Sequence, residues 1–433
     1  MPDLRRGLLR NADFLKLWTG QTVSVLGTQV TILAVPIIAA VALRVSPFEF
    51  GLLSTIEYLP FVFLSLPAGV WVDRLRRRPI LISADVGRAI SLLSIPVAFA
   101  FDALTIWQLY VVVFVNGCLT VFFDVAYQSY LPSIVERDQL VDGNAKLELT
   151  RTVSQRLGPG IAGVMIGLLT APFALLLDAV SYVVSTIFMV WIRRAEPPLA
   201  PADEATAPRP SMRVEIAVGL RYVTGQRWLR GLALTIALGY LFGTLADSIL
   251  ILYLVTEHQF PPALIGLAFS IGSVGIIAGA LIANRVTKAI GVGPTIVLAA
   301  VGESLSWLPV AAAPDELLFA GLTTTIVALG FFGVGWQVNA VSLRQAITPR
   351  SMQGRVNATM RFISWSTIPV GSVLGGFLGG VIGLHNTIWL GALGSLVVFV
   401  PVALSSIWGV REMPGVDSEP GGQAGSGREV AGA

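Results

Sequence analysis

The chain has 433 residues, of which 54% are hydrophobic and only 13% are Asp, Glu, Lys or Arg, with a formal net charge of +3. A soluble domain carries about 25% charged residues, so this composition, with a mean hydropathy of +0.76, excludes a large soluble globule and points to a polytopic membrane protein. One cysteine, Cys118, excludes an internal disulfide, and the two histidines, His258 and His385, cannot build a zinc-type cluster.

The opening MPDLRRGLLRNADFLKLW is basic at once and runs into a long apolar stretch with no small-residue cleavage site, so the first span is expected to be retained. A bilayer core requires about 20 apolar residues per helix. Apolar runs between charged or Pro/Gly breaks give about twelve expected spans. The first six are 14–43, 48–72, 79–101, 104–131, 145–170 and 172–192. The second six are 228–255, 261–284, 292–313, 315–343, 356–382 and 386–410. Amphipathic, charged residues precede the apolar part of the fifth and eleventh. EPPLAPADEATAPRPS is Pro/Ala-rich and reads as a linker, followed by a surface helix in MRVEIAVGLRYVTGQ. The Gly-rich tail reads as disordered. The expected organisation is an all-α integral membrane protein with a six-helix bundle over 1–195, a linker over 196–227, a second six-helix bundle over 228–411 and a tail over 412–433.

Alternate loops carry the basic residues: Arg74 to Arg78, then Arg137, then Arg193 to Arg230, then Arg285 and Lys288, then Arg350 and Arg355. The intervening loops hold Arg44 but also Glu49, Asp102, Glu257, Asp315 and Glu316. The positive-inside rule then puts both termini and the linker on the cytoplasmic side of the cell membrane. Because the arginines are spread among hydrophobic segments, the basic pI does not describe a nucleic-acid surface.

The halves repeat. Asn144, Gly158, Gly163 and Gly167 recur as Asn357, Gly371, Gly376 and Gly380, and VDRLRRR at 72–78 recurs as ANRVTKA at 283–289. Two related bundles joined by a long linker are the arrangement of transporters whose repeats share an axis along the membrane normal. GVWVDRLRRRP at 69–79 resembles the loop signature of the major facilitator superfamily, and the resemblance covers nearly the whole chain. Within it, GQTVSVLGTQVTILAVP at 20–36, FFDVAYQSYLPSIVERDQLVDGNAKLELTRTVSQRLGPGIAG at 122–163 and LLLDAVSYVVS at 175–185 look most like bacterial macrolide-efflux and enterobactin exporters.

That resemblance implies a gate. Gly69, Asp73, Arg74, Arg77 and Arg78, with Asn284 and Arg285 in the second copy, would latch the cytoplasmic ends of the halves when the cavity faces outward. A basic loop also sets topology alone, but topology does not need the acid Asp73. In the second copy Asn284 replaces the acid, so the latch is weakened there. LGPGIAG resembles the Gly-Pro signature of the superfamily's antiporters, with Ala162 where Gly is typical. Gly158, Pro159 and Gly163, and Gly371, Gly375 and Gly379 in the eleventh span, read either as sliding contacts between helices or as tight packing.

Ionisable groups inside a span are costly and must face protein or water. Asp85 and Arg88 are three apart and read as a structural pair near the cytoplasmic side; Asp178 reads as structural near a boundary. The resemblance implies that the first, fourth, seventh and tenth spans line the cavity. Asp124 and Asp247 lie on such spans and are candidate proton-coupling groups, with Glu57 and Glu303 behind them. Gln21, Gln29, Asn116, Tyr127, Tyr240, Phe331, Trp336, Gln337 and Asn339 are candidate cavity residues, in an apolar, aromatic wall suited to amphipathic cargo. Many drug/proton antiporters of the superfamily carry an arginine in the fourth span; Val113 stands at that position here.

The expected function is secondary active export of hydrophobic or amphipathic small molecules, such as antibiotics or siderophores, by alternating access. No GxxxxGK[ST] loop is present, so the proton gradient is the expected energy source and no cofactor is expected. The expected partners are a small-molecule substrate and the lipid bilayer, with no nucleic acid, and the expected functional unit is a monomer. The alternatives are an uptake or facilitative carrier of the same fold and a non-transporting membrane sensor or assembly protein. An intramembrane enzyme finds no nucleophile–base or metal constellation.

Overall fold

In a bilayer the backbone has no water to bond, so apolar runs become helices. The computed structural model describes residues 8–194, Glu196 and 212–414, without the side chains of Leu66, Val70, Asp73, Arg137 and residues 212–216. Most of the Pro/Ala-rich linker and the tail beyond residue 414 lie outside the described residues, as does the side chain of Asp73.

The first half holds α1 (Ala12–Ile37), α2 (Pro47–Asp73), α3 (Arg77–Ala100), α4 (Ile106–Ile134), α5 (Leu140–Leu169) and α6 (Ala171–Trp191). Asn11 starts α1: its Oδ1 accepts from the N–H groups of Asp13 and Phe14, each at 3.1 Å. A wide π turn over Ile38–Ala42 ends it. Ser46 and Glu49 form a reciprocal capping box at the start of α2, with Pro47 at the first helical position. The linker contributes α7 (Met212–Gly225), which packs on α13 and α8.

The second half holds α8 (Arg227–Thr256), α9 (Pro262–Ile290), α10 (Val292–Leu305), α11 (Leu308–Ala312), α12 (Leu318–Ile347), α13 (Arg350–Ile382), α14 (Leu384–Ser395) and α15 (Val400–Leu404). The expected ninth and twelfth spans are thus each interrupted. Pro309 and Pro401 lie one residue inside α11 and α15, and a proline cannot donate the hydrogen bond that would carry the helix across the break.

Among the described residues, eleven segments are long and apolar enough to cross a membrane. α5 is not one of them. It has 30 residues, enough for about 45 Å, but Asp142, Lys146, Glu148, Arg151 and Arg156 crowd the stretch from Leu140 to Arg156. Large apolar side chains such as Ile90, Val180 and Ile277 are exposed, as a lipid-facing surface requires.

The halves show the same packing. α1 packs on α5 and α6, and α3 on α4 and α6; their counterparts α8 and α13, and α10 and α12, do likewise. Contact between halves runs chiefly through α2 with α13 and α5 with α9. The apolar core shows where they meet. At the end away from α7, the far end, one cluster unites both halves: Leu33, Ile38 and Phe50 belong with Leu250, Ile265 and Leu384. At the linker end the core is in two separate pieces, one around Phe14, Leu81 and Tyr130, the other around Trp228, Leu343 and Val356. The two halves are therefore sealed together at the far end and parted at the linker end.

Candidate functional site

A cavity of about 760 Å³ opens among α8, α10, α12, α13 and α14. A second, of about 280 Å³, lies between α2 and α13, and Asn357, Arg361 and Trp365 line both. Asp247 and Glu303 line the larger one. Each lies roughly 14 Å by helical rise from the far end of its span, near the seal. Arg361 and Arg344 lie roughly 32 and 39 Å by helical rise from the far ends of α13 and α12, toward the open end.

Tyr240, Trp307, Trp336 and Trp365 supply aromatic wall. The Arg361 guanidinium lies 5.7 Å from the Trp365 ring centroid, and Trp365 meets Phe61 of α2 edge-on at 5.3 Å. Tyr58 of α2 interacts electrostatically with Glu57 and Asp247, so the first half faces the cavity acids. Neither Asp247 nor Glu303 forms a salt bridge among the described residues. The site therefore offers two carboxylates at the closed end, aromatic walls, and two guanidiniums nearer the mouth.

Of the cavity and coupling candidates singled out in the sequence, Tyr240, Asp247, Glu303, Trp336 and Gln337 line this cavity. Others lie elsewhere, for a physical reason. Asn116 donates to Ser91 Oγ at 2.7 Å and to the Val112 carbonyl at 3.0 Å, tying α4 to α3. Asn339 accepts from Thr287 Oγ1 at 2.9 Å and is buried between α9 and α12. Gln29 is buried against Gly158, where a Cβ would stand 2.7 Å from the Gln29 Cβ. A polar side chain on a lining helix can point into a neighbour as readily as into the cavity. Tyr127 stacks on Phe123 at 5.8 Å, and its hydroxyl is buried without a partner. Glu57 is half-buried on α2, and Asp124 is exposed on α4. Sequence reasoning did not single out Arg344, Arg361, Trp307 or Trp365; Arg361, an arginine inside a span, was the available signal.

The loop after α2 engages its own half. The Arg77 and Arg78 N–H groups donate to the two Glu196 carboxylate oxygens at 3.0 and 2.8 Å, so Glu196 caps α3. The Arg78 side chain donates to the carbonyls of Met189 and Val190 at the end of α6, at 3.1 and 2.6 Å. Arg74 caps α2 through its backbone, and a Cβ on Gly69 would meet open space. Asn284 and Arg285 are exposed on α9.

The glycines divide into two faces. Gly371 and Gly375 fit against Leu241 and Leu245 of α8, as Gly158 fits against α1, within one half. Gly379 lies against Leu384, Ile249 and also Pro47. Gly163 and Gly376 cross between halves. A Cβ on Gly163 would stand 2.5 Å from the Pro262 carbonyl oxygen, and one on Gly376 2.7 Å from that of Pro47. Their partners Gly266 and Gly51 are residues the motif reading missed. Pro159 shares the first crossing: its carbonyl abuts Gly266, and the Gly160 N–H donates to Ser270 Oγ at 2.9 Å.

Comparison with known proteins agrees with this architecture. The model of the transmembrane secretion effector family matches residues 7–424. The multidrug efflux pump Tap of Mycolicibacterium fortuitum is 26% identical, over 93% of this chain and 97% of that protein. Macrolide efflux protein A of Streptococcus pyogenes is 22% identical, over 92% and 97%. An uncharacterized MFS-type transporter, YfiS of Bacillus subtilis, is 24% identical, over 88% and 89%. Among solved structures, a nucleoside transporter NupG mutant superposes with a TM-score of 0.69 at 14% identity, covering 92% of this chain and all of that one. A bacterial homologue of ferroportin in an inward-facing state superposes with a TM-score of 0.68 at 17% identity, covering 93% and all of that chain. These structures share the fold. The chain is a multi-pass membrane transporter, not an enzyme, and belongs to the transmembrane secretion effector family of the major facilitator superfamily.

Proposed function

We propose that this transporter exports amphipathic small molecules, with a basic group preferred, by alternating access driven by the proton gradient. The observation that carries the reading is the cavity of about 760 Å³, with unpaired Asp247 and Glu303 at its closed end and aromatic walls above them. Efflux pumps among the relatives, Tap and macrolide efflux protein A, support the direction. In this reading the linker end is cytoplasmic and the described state is inward-facing. Two six-helix bundles over 1–195 and 228–411, joined by the linker, move as units in a functional monomer. Asp73, with Arg74 and the second-copy Asn284 and Arg285, latches the linker end in the opposite state.

The test is accumulation of a panel of antibiotics, dyes and siderophores in cells with and without the gene, repeated with a protonophore. Export predicts lower accumulation of at least some amphipathic amines, restored by the protonophore. Higher accumulation would make the chain an uptake carrier. No difference for any compound, with the protein present in the membrane, would overturn transport of this class.

A further inference from the structure

Several arginines at the linker end have a structural task. Arg78 donates to the carbonyls of Met189 and Val190 at the end of α6, and Arg194 to that of Ile134 at the end of α4. Arg227 donates to the Leu404 carbonyl at the end of α15, and Arg411 to that of Ile290 at the end of α9. Each satisfies a carbonyl that a helix C-terminus leaves free. Arg88, buried in α3, is tied as well. It is bonded to Asp85, and the ring centroids of Phe123 on α4 and Tyr182 on α6 each lie 4.3 Å from its guanidinium carbon.

Arg344 and Arg361 have no such task. Both line the larger cavity, and among the described residues neither guanidinium forms a hydrogen bond or an ion pair. Arg344 stands in the last turn of α12, where a cation ordinarily serves the helix end, yet its Nε is buried without a partner. Arg361 lies 5.7 Å from the Trp365 ring centroid. A ring face is no acceptor oxygen, so the N–H donors of that guanidinium remain to be satisfied.

The repeat sharpens the contrast. By the offset that relates Asn144 to Asn357, Arg361 and Ser364 stand where the first copy has Glu148 and Arg151, a salt-bridged pair. The second copy has put a cation in place of the acid and removed the charged partner. Asn144 bonds back to the Leu140 carbonyl at 2.9 Å. Asn357, one turn from Arg361 and lining the same cavity, has no such bond among the described residues. Asp247 and Glu303 lie roughly 18–25 Å of helical rise away, too far to pair with these donors. The positive-inside rule does not account for them either, since loop cations satisfy it.

We propose that Arg344 and Arg361, with Asn357, form an oxyanion subsite at the mouth of the cavity. A guanidinium presents paired N–H groups that match a carboxylate or a phosphate. With carboxylates at the closed end, the whole cavity then fits an extended zwitterionic amphiphile. Its amine lies at Asp247 and Glu303, its apolar body along Tyr240 and Trp336, and its oxyanion at the two guanidiniums. The subsite stands on the geometry; naming its occupant as cargo rests on the export reading. Arg361 also lines the smaller cavity between α2 and α13, so a phospholipid headgroup is the competing source of the same chemistry.

The experiment is calorimetric titration of the full chain in phosphatidylcholine nanodiscs, with empty discs as the blank. The probes are ω-aminododecanoic acid and ω-aminododecanol, which share an amine and a chain and differ in the oxyanion. The acid should bind about tenfold more tightly, as one charge-assisted contact implies. Arg344→Gln and Arg361→Gln should each lose most of that preference, and Arg361→Lys should keep part of it. The readout is the ratio of the two affinities, so a general weakening of binding does not imitate the effect. No preference in the unaltered chain, whether from equal binding or from none, overturns the subsite, as does a preference unchanged in both glutamine variants. Phosphatidylglycerol added to the discs separates the two sources. A preference that survives it assigns the subsite to cargo; one that vanishes gives the guanidiniums to a headgroup and overturns the assignment. No transport is measured, so failure here leaves the export reading to its accumulation test, and failure of export leaves the binding result standing.

Discussion

At the scale of residues, the cavity divides its charges by depth. Asp247 and Glu303 stand near the seal, and Arg344 and Arg361 stand toward the opening. Among the described residues neither acid is neutralised by a salt bridge, so each is available to a ligand cation. Replacing Asp247 by Asn or Glu303 by Gln should weaken transport of amine-bearing compounds about tenfold or more, since one charge-assisted contact is worth about 1.5–3 kcal/mol. Neutral amphiphiles should be affected far less. Concentration dependence of uptake into inverted vesicles, for a charged and a neutral substrate in parallel, checks both halves of that statement.

A different residue carries strain. Thr170 joins α5 to α6 at φ 66 and ψ 155, where its repeat counterpart Gly383 joins α13 to α14 at φ 88 and ψ 158. Only glycine enters that region without steric penalty. Thr170→Gly should therefore stabilise the fold by about 1 kcal/mol. Thermal unfolding in detergent or nanodiscs reads this as a rise in melting temperature, and a fall would show that the Thr170 side chain matters more than its backbone.

At the scale of elements, two crossings hold the halves together. Gly163 meets Gly266 where α5 crosses α9, and Gly376 meets Gly51 where α13 crosses α2. The arrangement is the same contact made twice, once by each repeat. A leucine at 163 or 376 has no room in the described state, because backbone atoms rather than flexible side chains stand in its way. Overpacking of this kind costs about 1–3 kcal/mol. The state sealed at the far end should lose population, and transport should slow. Spin-label distances across the far end should broaden or lengthen in Gly376→Leu; unchanged distances would remove the crossing from the cycle.

At the scale of the whole molecule, the apolar core is continuous at one end and split at the other. That asymmetry defines the described state, and the loop arginines give it a direction. If the positive-inside rule orients this chain, a fluorescent protein fused after residue 433 should be bright, and a phosphatase active only outside the cell should be inactive there. The reverse pattern would turn the described state into an outward-facing one and exchange the roles of the two ends.

Much of this was legible in the sequence, for physical reasons. The bilayer enforces helices of a set length, so composition and hydropathy alone located the spans within a few residues and the repeat predicted two related halves. Basic loops, intramembrane acids and the glycine spacing could likewise be read directly, because each costs free energy unless it has a use. What linear order could not supply was direction around each helix. Gln29, Asn116 and Asn339 sit on spans expected to line the cavity yet point into neighbouring helices. Gly371 and Gly376 are five apart in the same motif, but one faces its own half and the other faces the opposite half. Arg88, Phe123 and Tyr182 come from three helices, and no spacing in the chain announces that the two rings hold one buried cation. Only tertiary packing, which fixes the rotation of each helix against its neighbours, decided which polar groups meet, which face the cavity, and where the halves close.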